Sequence, residues 1–158
     1  MSIMSGENAR FREFRHGAGF LLSRLGTLAE RSWGAALHRV GLTQTEFVVL
    51  VALTDAGAMR QRELAAAAGM DPRNLVPVVA VLTRRRLIAV RPDPDDGRAK
   101  LLALSDAGAE LLRELEVELR PERDAFFGAL APGEYARLCE LLEAVHSELL
   151  AGRGDEAR

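Results

Sequence analysis

Apolar residues recur every three or four positions along most of this chain, which is the spacing of one face of an α-helix. The first stripe predicts a helix from Phe11 to Gly41, and the last predicts a helix that begins at about Gly133. Another begins after Ser105, a good N-cap residue, and contains Pro121, which we expect to kink or divide it. The apolar positions are Phe11, Phe14, Ala18, Leu21, Leu22, Leu25 and Leu28 in the first stripe, Leu111, Leu112, Leu115 and Leu119 in the middle one, and Tyr135, Leu138, Cys139, Leu142, Val145 and Leu149 in the last.

Three shorter helices are predicted between these long ones from their start and stop signals. Thr43 and Glu46 form a capping box that opens the apolar segment EFVVLVALT, and residues 55–59 (DAGAM) are predicted to be a loop. A short helix over residues 61–68 ends at Gly69. The dipeptide Asp-Pro then starts a helix over residues 73–85, within which a proline at position 77 argues against a regular geometry.

One segment has the pattern of strands. The charged stretch RPDPDDGRAK, residues 91–100, lies between two short apolar runs, LIAV and LLAL, and its prolines and Asp-Gly favour a turn. It is therefore predicted to be a two-stranded β-hairpin with an exposed tip. Two helices joined by a tight glycine turn and followed by such a hairpin form a winged helix-turn-helix, whose second helix can enter a DNA major groove. The predicted fold class is mainly α, with this unit between outer helices.

The distribution of charge supports a polyanionic partner for the middle of the chain. The net charge of the 158 residues is −2, but residues 60–100 carry nine arginines and lysines against five acids, a net of +4. Residues 101–158 carry a net of −7. Because local charge sets the field that a ligand meets, the small total does not exclude nucleic acid as a partner.

Composition limits the classes of protein further. The length fits one domain, or one domain with an oligomerisation element, and a single cysteine excludes an intramolecular disulfide. The amino terminus has no secretory pattern and the apolar runs are too short to span a bilayer, so we expect a cytoplasmic protein without a membrane partner. No catalytic constellation or phosphate loop stands out, so we expect neither enzyme activity nor a cofactor.

Three stretches together resemble the MarR family of bacterial transcriptional regulators: GLTQTEFVVLVAL (41–53), QRELAAAAGMDPRNLV (61–76) and RLIAVRPDPDDGRAKLLALSDAGAELL (86–112). Arg91, Asp96 and Arg98 fit the family's wing pattern. Three positions depart from the family pattern: Gly97 stands where another arginine is common, Arg86 replaces the usual glycine before a leucine, and Pro77 is unusual in a recognition helix.

The resemblance implies a DNA-binding regulator, most simply a repressor whose affinity a small aromatic or phenolic molecule modulates. It implies a homodimer on a pseudo-palindromic site, with dimerisation regions at residues 1–40 and 105–158 and the winged domain at residues 41–104. The alternative is a winged-helix module that binds proteins and has lost DNA binding, which the three departures favour weakly.

The resemblance also indicates which side chains would meet DNA. Arg73 and Asn74, in the first turn of the recognition helix, are expected to reach base edges. Gln61 and Arg62 are placed to meet phosphate, and Arg98 is expected to contact phosphate or the minor groove while Asp96 pairs with it and fixes its direction. Arg91 and Lys100 complete the set. The alternative for each of these residues is a solvated surface group. Asp93 and Asp95 lie on the same tip and are expected to oppose DNA by repulsion, and Arg84, Arg85 and Arg86 either contact DNA or only complement a helix terminus.

The resemblance also implies an effector site between the dimerisation helices and the winged domain, a junction that the first helix, the helix after Thr43 and the start of the recognition unit would line here. Trp33 and Phe47 would form an apolar wall, and the polar groups would be Arg15, His16 or His38. The alternative, that these side chains fill the core between helices, stays open. The three histidines have no metal-ligand spacing, so no metal site is expected, and Cys139 is expected to act as a small core hydrophobe.

Overall fold

The structure is a computed structural model that describes residues 16–155, so Phe11, Phe14 and Arg15 lie outside the described residues. The elements along the chain are α1 (Ala18–Arg39), α2 (Gln44–Ala56), β1 (Ala58–Arg60), α3 (Gln61–Ala67), α4 (Pro72–Arg84), β2 (Ile88–Pro92), β3 (Lys100–Leu104), α5 (Asp106–Phe126) and α6 (Pro132–Asp155). The fold is mainly α-helical with a winged helix-turn-helix at its centre, as the hydrophobic pattern predicts.

Local capping signals account for most of these boundaries. Thr43 Oγ1 accepts from the backbone N–H of Glu46 at 3.2 Å, and the Glu46 carboxylate accepts from the N–H of Thr43 at 2.8 Å, which confirms the predicted capping box. Helices α1 and α3 each end in a glycine with positive φ, Gly41 at 69° and Gly69 at 65°. In both turns the next residue's N–H bonds back to a carbonyl five positions earlier, which stops the helix.

The sheet has three strands in the order β1-β3-β2, all antiparallel. The predicted hairpin is present, with Ile88 opposite Leu104 and Pro92 opposite Lys100. The prediction that residues 55–59 form a loop is wrong, because α2 continues to Ala56 and β1 begins at Ala58. Three residues are too few to show a strand period, and β1 pairs with a strand more than forty positions away, so no local signal marks it.

The core lies inside the winged unit. Leu50, Leu64, Leu75 and Leu82, from α2, α3 and α4, are all completely buried, and Leu115 of α5 joins them. Burial of leucine side chains of this kind stabilises a domain by about 1.5–3 kcal/mol each. This core fixes the angle at which α4 and the hairpin leave the domain.

The outer helices pack less completely. Helix α5 is not divided at Pro121, and Arg39 of α1 makes ion pairs with Glu118 at 3.4 Å and Glu122 at 3.7 Å. Among the described residues no single helix is long and apolar enough to cross a bilayer; α1 and the first part of α2 pass that test only as a pair bent by 85°.

Candidate nucleic-acid interface and ligand cavity

The first turn of α4 is exposed to solvent and is stabilised by a side-chain cap. Asp71 accepts from the backbone N–H of Arg73 at 2.7 Å, and Pro72 occupies the first helical position, where its missing N–H costs nothing. Leu75 and Leu82 anchor the opposite face in the core, so the exposed face cannot rotate inward. Arg73 and Asn74 are both exposed there, and the helix continues through Pro77.

The hairpin tip is built by carboxylates that accept backbone N–H groups. Asp96 Oδ1 accepts from the N–H of Arg98 at 3.1 Å, and the N–H of Ala99 bonds the carbonyl of Asp96 at 2.8 Å. Asp96 was predicted to pair with the Arg98 side chain. Instead it holds the backbone of Arg98, and its carboxylate lies 4.0 Å from the guanidinium of Arg60.

Asp93 anchors the hairpin to the start of α3. It is buried, and its carboxylate Oδ2 lies 2.6 Å from Nη2 and 2.8 Å from Nε of Arg60, while Oδ1 accepts from the N–H of Asp95 at 2.9 Å. The N–H of Asp95 and the guanidinium of Arg60 lower the pKa of Asp93 below its usual range. Asp93 was expected to be a free charge on the tip, but its carboxylate is buried and paired with the guanidinium of Arg60.

The predicted DNA contacts do not all share one surface. Gln61 and Lys100 line the same cavity of about 420 Å³, together with Arg60, Val79 of α4 and Val90 of the hairpin. The start of α3, the middle of α4 and the hairpin therefore all border this cavity.

The other face of the hairpin belongs to a second cavity. Because side chains alternate along a strand, Arg91 points to this opposite face, where it lines a cavity of about 670 Å³ with Asp106, Arg113 and Glu116 of α5. Arg62 and Arg98 are exposed.

The three consecutive arginines at the end of α4, Arg84 to Arg86, have different surroundings. Arg85 donates to the carbonyl of Gly41 at 2.6 Å and to that of Val40 at 3.2 Å, so it ties the end of α1 to the end of α4. Arg86 takes the positive-φ position that ends α4, with φ 60°, and the turn keeps the hydrogen bonds that Gly41 and Gly69 make. Arg84 is exposed. The departure at Arg86 therefore leaves the turn intact.

The geometry of the hairpin base explains the Ser-Asp-Ala-Gly sequence that follows it. Ser105 Oγ donates to the carbonyl of Arg86 at 2.6 Å and accepts from the N–H of Gly108 at 3.0 Å. A Cβ on Gly108 would collide with the carbonyl oxygen of Leu87 and would lie 2.8 Å from the side chain of Leu104. Only glycine allows α5 to approach the hairpin this closely.

An apolar cavity of about 440 Å³ lies between α1, α2, α5 and α6. Trp33 and Phe47 line it, as the sequence analysis proposed for an effector site. His16 and His38 are exposed and do not line it. The cation that does is Arg123, whose sequence position gave no sign of this role.

An aromatic chain holds this region together. Ring centroids lie 6.1 Å apart for Trp33 and Phe126, 4.9 Å for Phe126 and Phe127, and 5.1 Å for Phe127 and Tyr135. It links α1, the end of α5 and the start of α6. Such tilted and edge contacts each contribute about 0.5–1.5 kcal/mol beyond burial. Trp33, Phe127 and Tyr135 of this aromatic series line the cavity.

Two polar groups that line the cavity carry shifted pKa values. The hydrogen bonds from Arg123 Nε and Nη2 to Asp124, at 3.1 and 3.0 Å, raise the pKa of Arg123, which keeps it cationic. Burial raises the pKa of Tyr135, and its contact with Cys139 raises it further. Cys139 was expected to fill the core, but it is exposed and lines the cavity. Over residues 16–155 no three histidine, cysteine or carboxylate side chains are grouped to hold a metal ion.

Comparison with known proteins agrees with this geometry. A sequence model of the MarR family matches residues 42–100. The HTH-type transcriptional repressor NicR of Pseudomonas putida is 35% identical over 101 residues, which are 64% of this chain and 64% of NicR.

Solved structures match over a longer range. BpsR of Bordetella bronchiseptica, whose DNA binding is regulated by 6-hydroxynicotinic acid, superposes with a TM-score of 0.69 at 30% identity, covering 84% of this chain and 94% of BpsR. CouR of Rhodococcus jostii RHA1, solved with p-coumaroyl-CoA, gives a TM-score of 0.71 at 29% identity and covers 83% of this chain and 92% of CouR.

Proposed function

The chain belongs to the MarR family, and we propose that it is a DNA-binding transcriptional repressor whose affinity a small aromatic acid modulates. The observation that carries the proposal is the first turn of α4, where Arg73 and Asn74 stand exposed on a helix that the core holds rigidly beside the hairpin. Arginine can pair with guanine and asparagine with adenine in the major groove. The relative NicR is itself a repressor. In this proposal the protein acts in the cytoplasm and catalyses no reaction.

The winged unit, residues 41–104, divides its contacts between reading and positioning. Helix α4 reads bases through Arg73 and Asn74. Gln61 and Arg62 at the start of α3, with Lys100 in the hairpin, meet phosphates, and Arg98 at the tip meets phosphate or the minor groove. Arg91, on the face of the hairpin that lines the cavity beside α5, meets the flanking backbone.

Binding selection from a pool of random duplexes, followed by titration of variants, tests this division. Arg73→Ala is expected to cost about 1–3 kcal/mol and to relax preference at one position of each half-site. Arg98→Ala is expected to weaken binding to all sequences alike and to flatten the salt dependence. Equal loss of specificity from both variants contradicts the division, and absence of any salt-dependent binding to duplex DNA supports a protein-interaction module instead.

The first and last helices, α1 and α6, form the interface of a homodimer. Leu21, Leu25 and Leu28 of α1 are 43–44% exposed, and Leu141 and Val145 of α6 are 50% and 53% exposed. A monomer rarely leaves apolar patches of this kind in contact with water. Two-fold symmetry would place two copies of α4 on half-sites of a pseudo-palindrome, about 10 bp apart.

Sedimentation of wild-type protein and of Val145→Glu tests the dimer. The wild type is expected to sediment as a dimer at micromolar concentration and Val145→Glu as a monomer, because a carboxylate would be buried without a partner. Ala107→Glu, at an exposed position of α5, is the matched control and should remain dimeric. A monomeric wild type removes this part of the proposal.

The effector site is the cavity between α1, α2, α5 and α6. Its apolar wall suits an aromatic ring, and Arg123 suits a carboxylate, which a guanidinium binds through paired hydrogen bonds. The indole N–H of Trp33 is buried without an acceptor among the described residues, so an oxygen atom of the ligand would satisfy it. Among the relatives, BpsR responds to an aromatic acid, 6-hydroxynicotinic acid.

The only tryptophan of the chain makes the effector proposal measurable. Titration with 6-hydroxynicotinate and with p-coumarate should change Trp33 fluorescence, and a ligand that binds should weaken DNA binding by its preference for the DNA-free state. Arg123→Leu should lose the response, whereas Arg137→Leu, an exposed position on α6, should keep it. Ligands that bind without changing DNA affinity contradict the regulatory part.

A further inference from the structure

The exposed face of α4 is apolar at its centre. Val76 is 53% exposed, and Pro77 and Ala80 are also exposed; Ala80 lies four positions after Val76 and three after Pro77, and residues at these spacings share one side of a helix. Arg73 and Arg84 stand at the two ends of this face and are exposed. We call Val76, Pro77 and Ala80 the apolar face of α4.

Hydrogen bonds to base edges cannot explain why the centre of this exposed face is apolar. The polar side chains of α4 lie at its two ends, Arg73 and Asn74 in the first turn and Thr83 and Arg84 in the last, and the three residues of the apolar face carry no side-chain donor or acceptor. In the major groove the one apolar group that a base edge presents is the C5-methyl of thymine. Small aliphatic side chains also let a helix approach the base edges closely.

We propose that the apolar face of α4 reads thymine methyl groups, so that the centre of each half-site is selected by methyl contacts and its edge by Arg73 and Asn74. The inference rests on the proposed DNA-binding function and adds the chemistry of its specificity. The two arginines that flank the face, and the net charge of +4 over residues 60–100, favour DNA over an apolar groove of another protein as the occupant.

Replacement of thymine by deoxyuridine in the selected duplex tests the inference, since it removes the methyl and leaves every base-pair hydrogen bond. Each contacted thymine is expected to lose about fourfold in affinity, the effect of exposing one buried methyl group. Thymines outside the contacted positions should show no change.

Variants assign the effect to the face. In Val76→Ala the deoxyuridine effect should disappear at one position of each half-site, because the methyl no longer has its partner. Val76→Thr keeps the side-chain shape and should weaken preference for thymine without unfolding, since the position is exposed. Val117→Ala, 65% exposed on α5, is the control and should leave all effects unchanged.

The outcomes separate the inference from the function beneath it. Absence of salt-dependent binding to any duplex removes the proposed function. Salt-dependent, sequence-selective binding that is indifferent to every deoxyuridine removes the inference alone. A deoxyuridine effect that persists undiminished in Val76→Ala, in Pro77→Ala and in Ala80→Ser also overturns it, because the methyl reader would then lie elsewhere.

Discussion

The winged unit and the outer helices are both rich in leucine, but they bury it to different extents. Leu64 and Leu75 in the winged unit are completely buried, whereas Leu25 of α1 is 43% exposed and Leu149 of α6 is 64% exposed. One region therefore completes its core within a single chain, and the other leaves an apolar surface that the proposed dimer would cover. The same helical periodicity in the sequence underlies both.

This difference predicts two kinds of stability. A core closed within the chain has a free energy of unfolding that does not depend on protein concentration. A surface closed by a second copy follows mass action, so its contribution grows with concentration. The predictions below change one region at a time to test where each kind of stability lies.

The largest effect is expected from truncation in the winged core. Leu82→Ala should lower the free energy of unfolding by about 2–5 kcal/mol at every protein concentration, because it leaves a cavity among buried side chains. Leu25→Ala should cost less, and its cost should vary with concentration. Thermal unfolding across a hundredfold concentration range measures both, and concentration-independent losses of equal size would remove the distinction.

A somewhat smaller loss is expected where the winged unit meets α5. Gly108→Ala should cost about 1–3 kcal/mol, because the added methyl meets the backbone of Leu87 and the hairpin base must move. Gly26→Ala in α1 meets nothing within 4 Å in this chain and should be neutral or stabilising through helix propensity. Denaturant unfolding distinguishes them, and an unchanged midpoint for Gly108→Ala contradicts the close approach.

The sequence predicted most of the fold because the boundaries depend on neighbouring residues. The capping box at Thr43 and the turn at Gly69 involve bonds over three to five positions, and the structure confirms both. Strand β1 escaped prediction because its pairing with β3 joins Met59 to Leu102, and no local pattern reports such a distant partner.

The candidate site was less predictable for the same reason. The anchor between Arg60 and Asp93 spans 33 positions, so Asp93 looked like one more charge on a solvated tip. Arg123 and Cys139 reach the cavity only because α5 and α6 fold back against Trp33. Periodicity gave the apolar stripes, but it could not show which surface covers each stripe.

Matched charge removals test the hairpin anchor. Asp93→Asn and Asp95→Asn each remove one negative charge from the tip. Asp95→Asn is expected to tighten DNA binding by about twofold, because a repelling charge is gone. Asp93→Asn is expected to weaken binding by about threefold to tenfold, because Arg60 loses its partner and the hairpin loosens. Equal tightening in both variants contradicts the anchor.

The same anchor predicts a sensitivity to acid. The folded state holds the pKa of Asp93 below its ordinary value of 3.8, so its contribution to stability is complete above that pH and is lost as pH falls further. The free energy of unfolding, measured from pH 5 down to pH 2, should therefore decline less steeply in Asp93→Asn than in the wild type. Identical pH profiles contradict the assignment.

The smallest effect is expected at Arg86, which ends α4 in the conformation that glycine adopts at the ends of α1 and α3. Gly41, Gly69 and Arg86 end three helices with φ between 60° and 69°, and the side chain makes this geometry costly only at Arg86. The left-handed conformation costs a non-glycine residue about 1–2 kcal/mol, and the greater freedom of glycine in the unfolded chain offsets about 0.5–1 kcal/mol. Arg86→Gly should therefore raise the free energy of unfolding by about 0.5–1 kcal/mol, which corresponds to a rise of roughly 1–4 °C in Tm.

The hydrogen bond from Ser105 Oγ survives the change, because it is accepted by the backbone carbonyl of residue 86. Arg84→Gly, two residues earlier at the last position of α4, is the control and should lower the free energy of unfolding by about 1 kcal/mol. Calorimetry without DNA separates this backbone effect from any contact that the Arg86 side chain makes with phosphate. A lower Tm for Arg86→Gly would mean that the side chain stabilises the winged unit by more than its strained backbone costs.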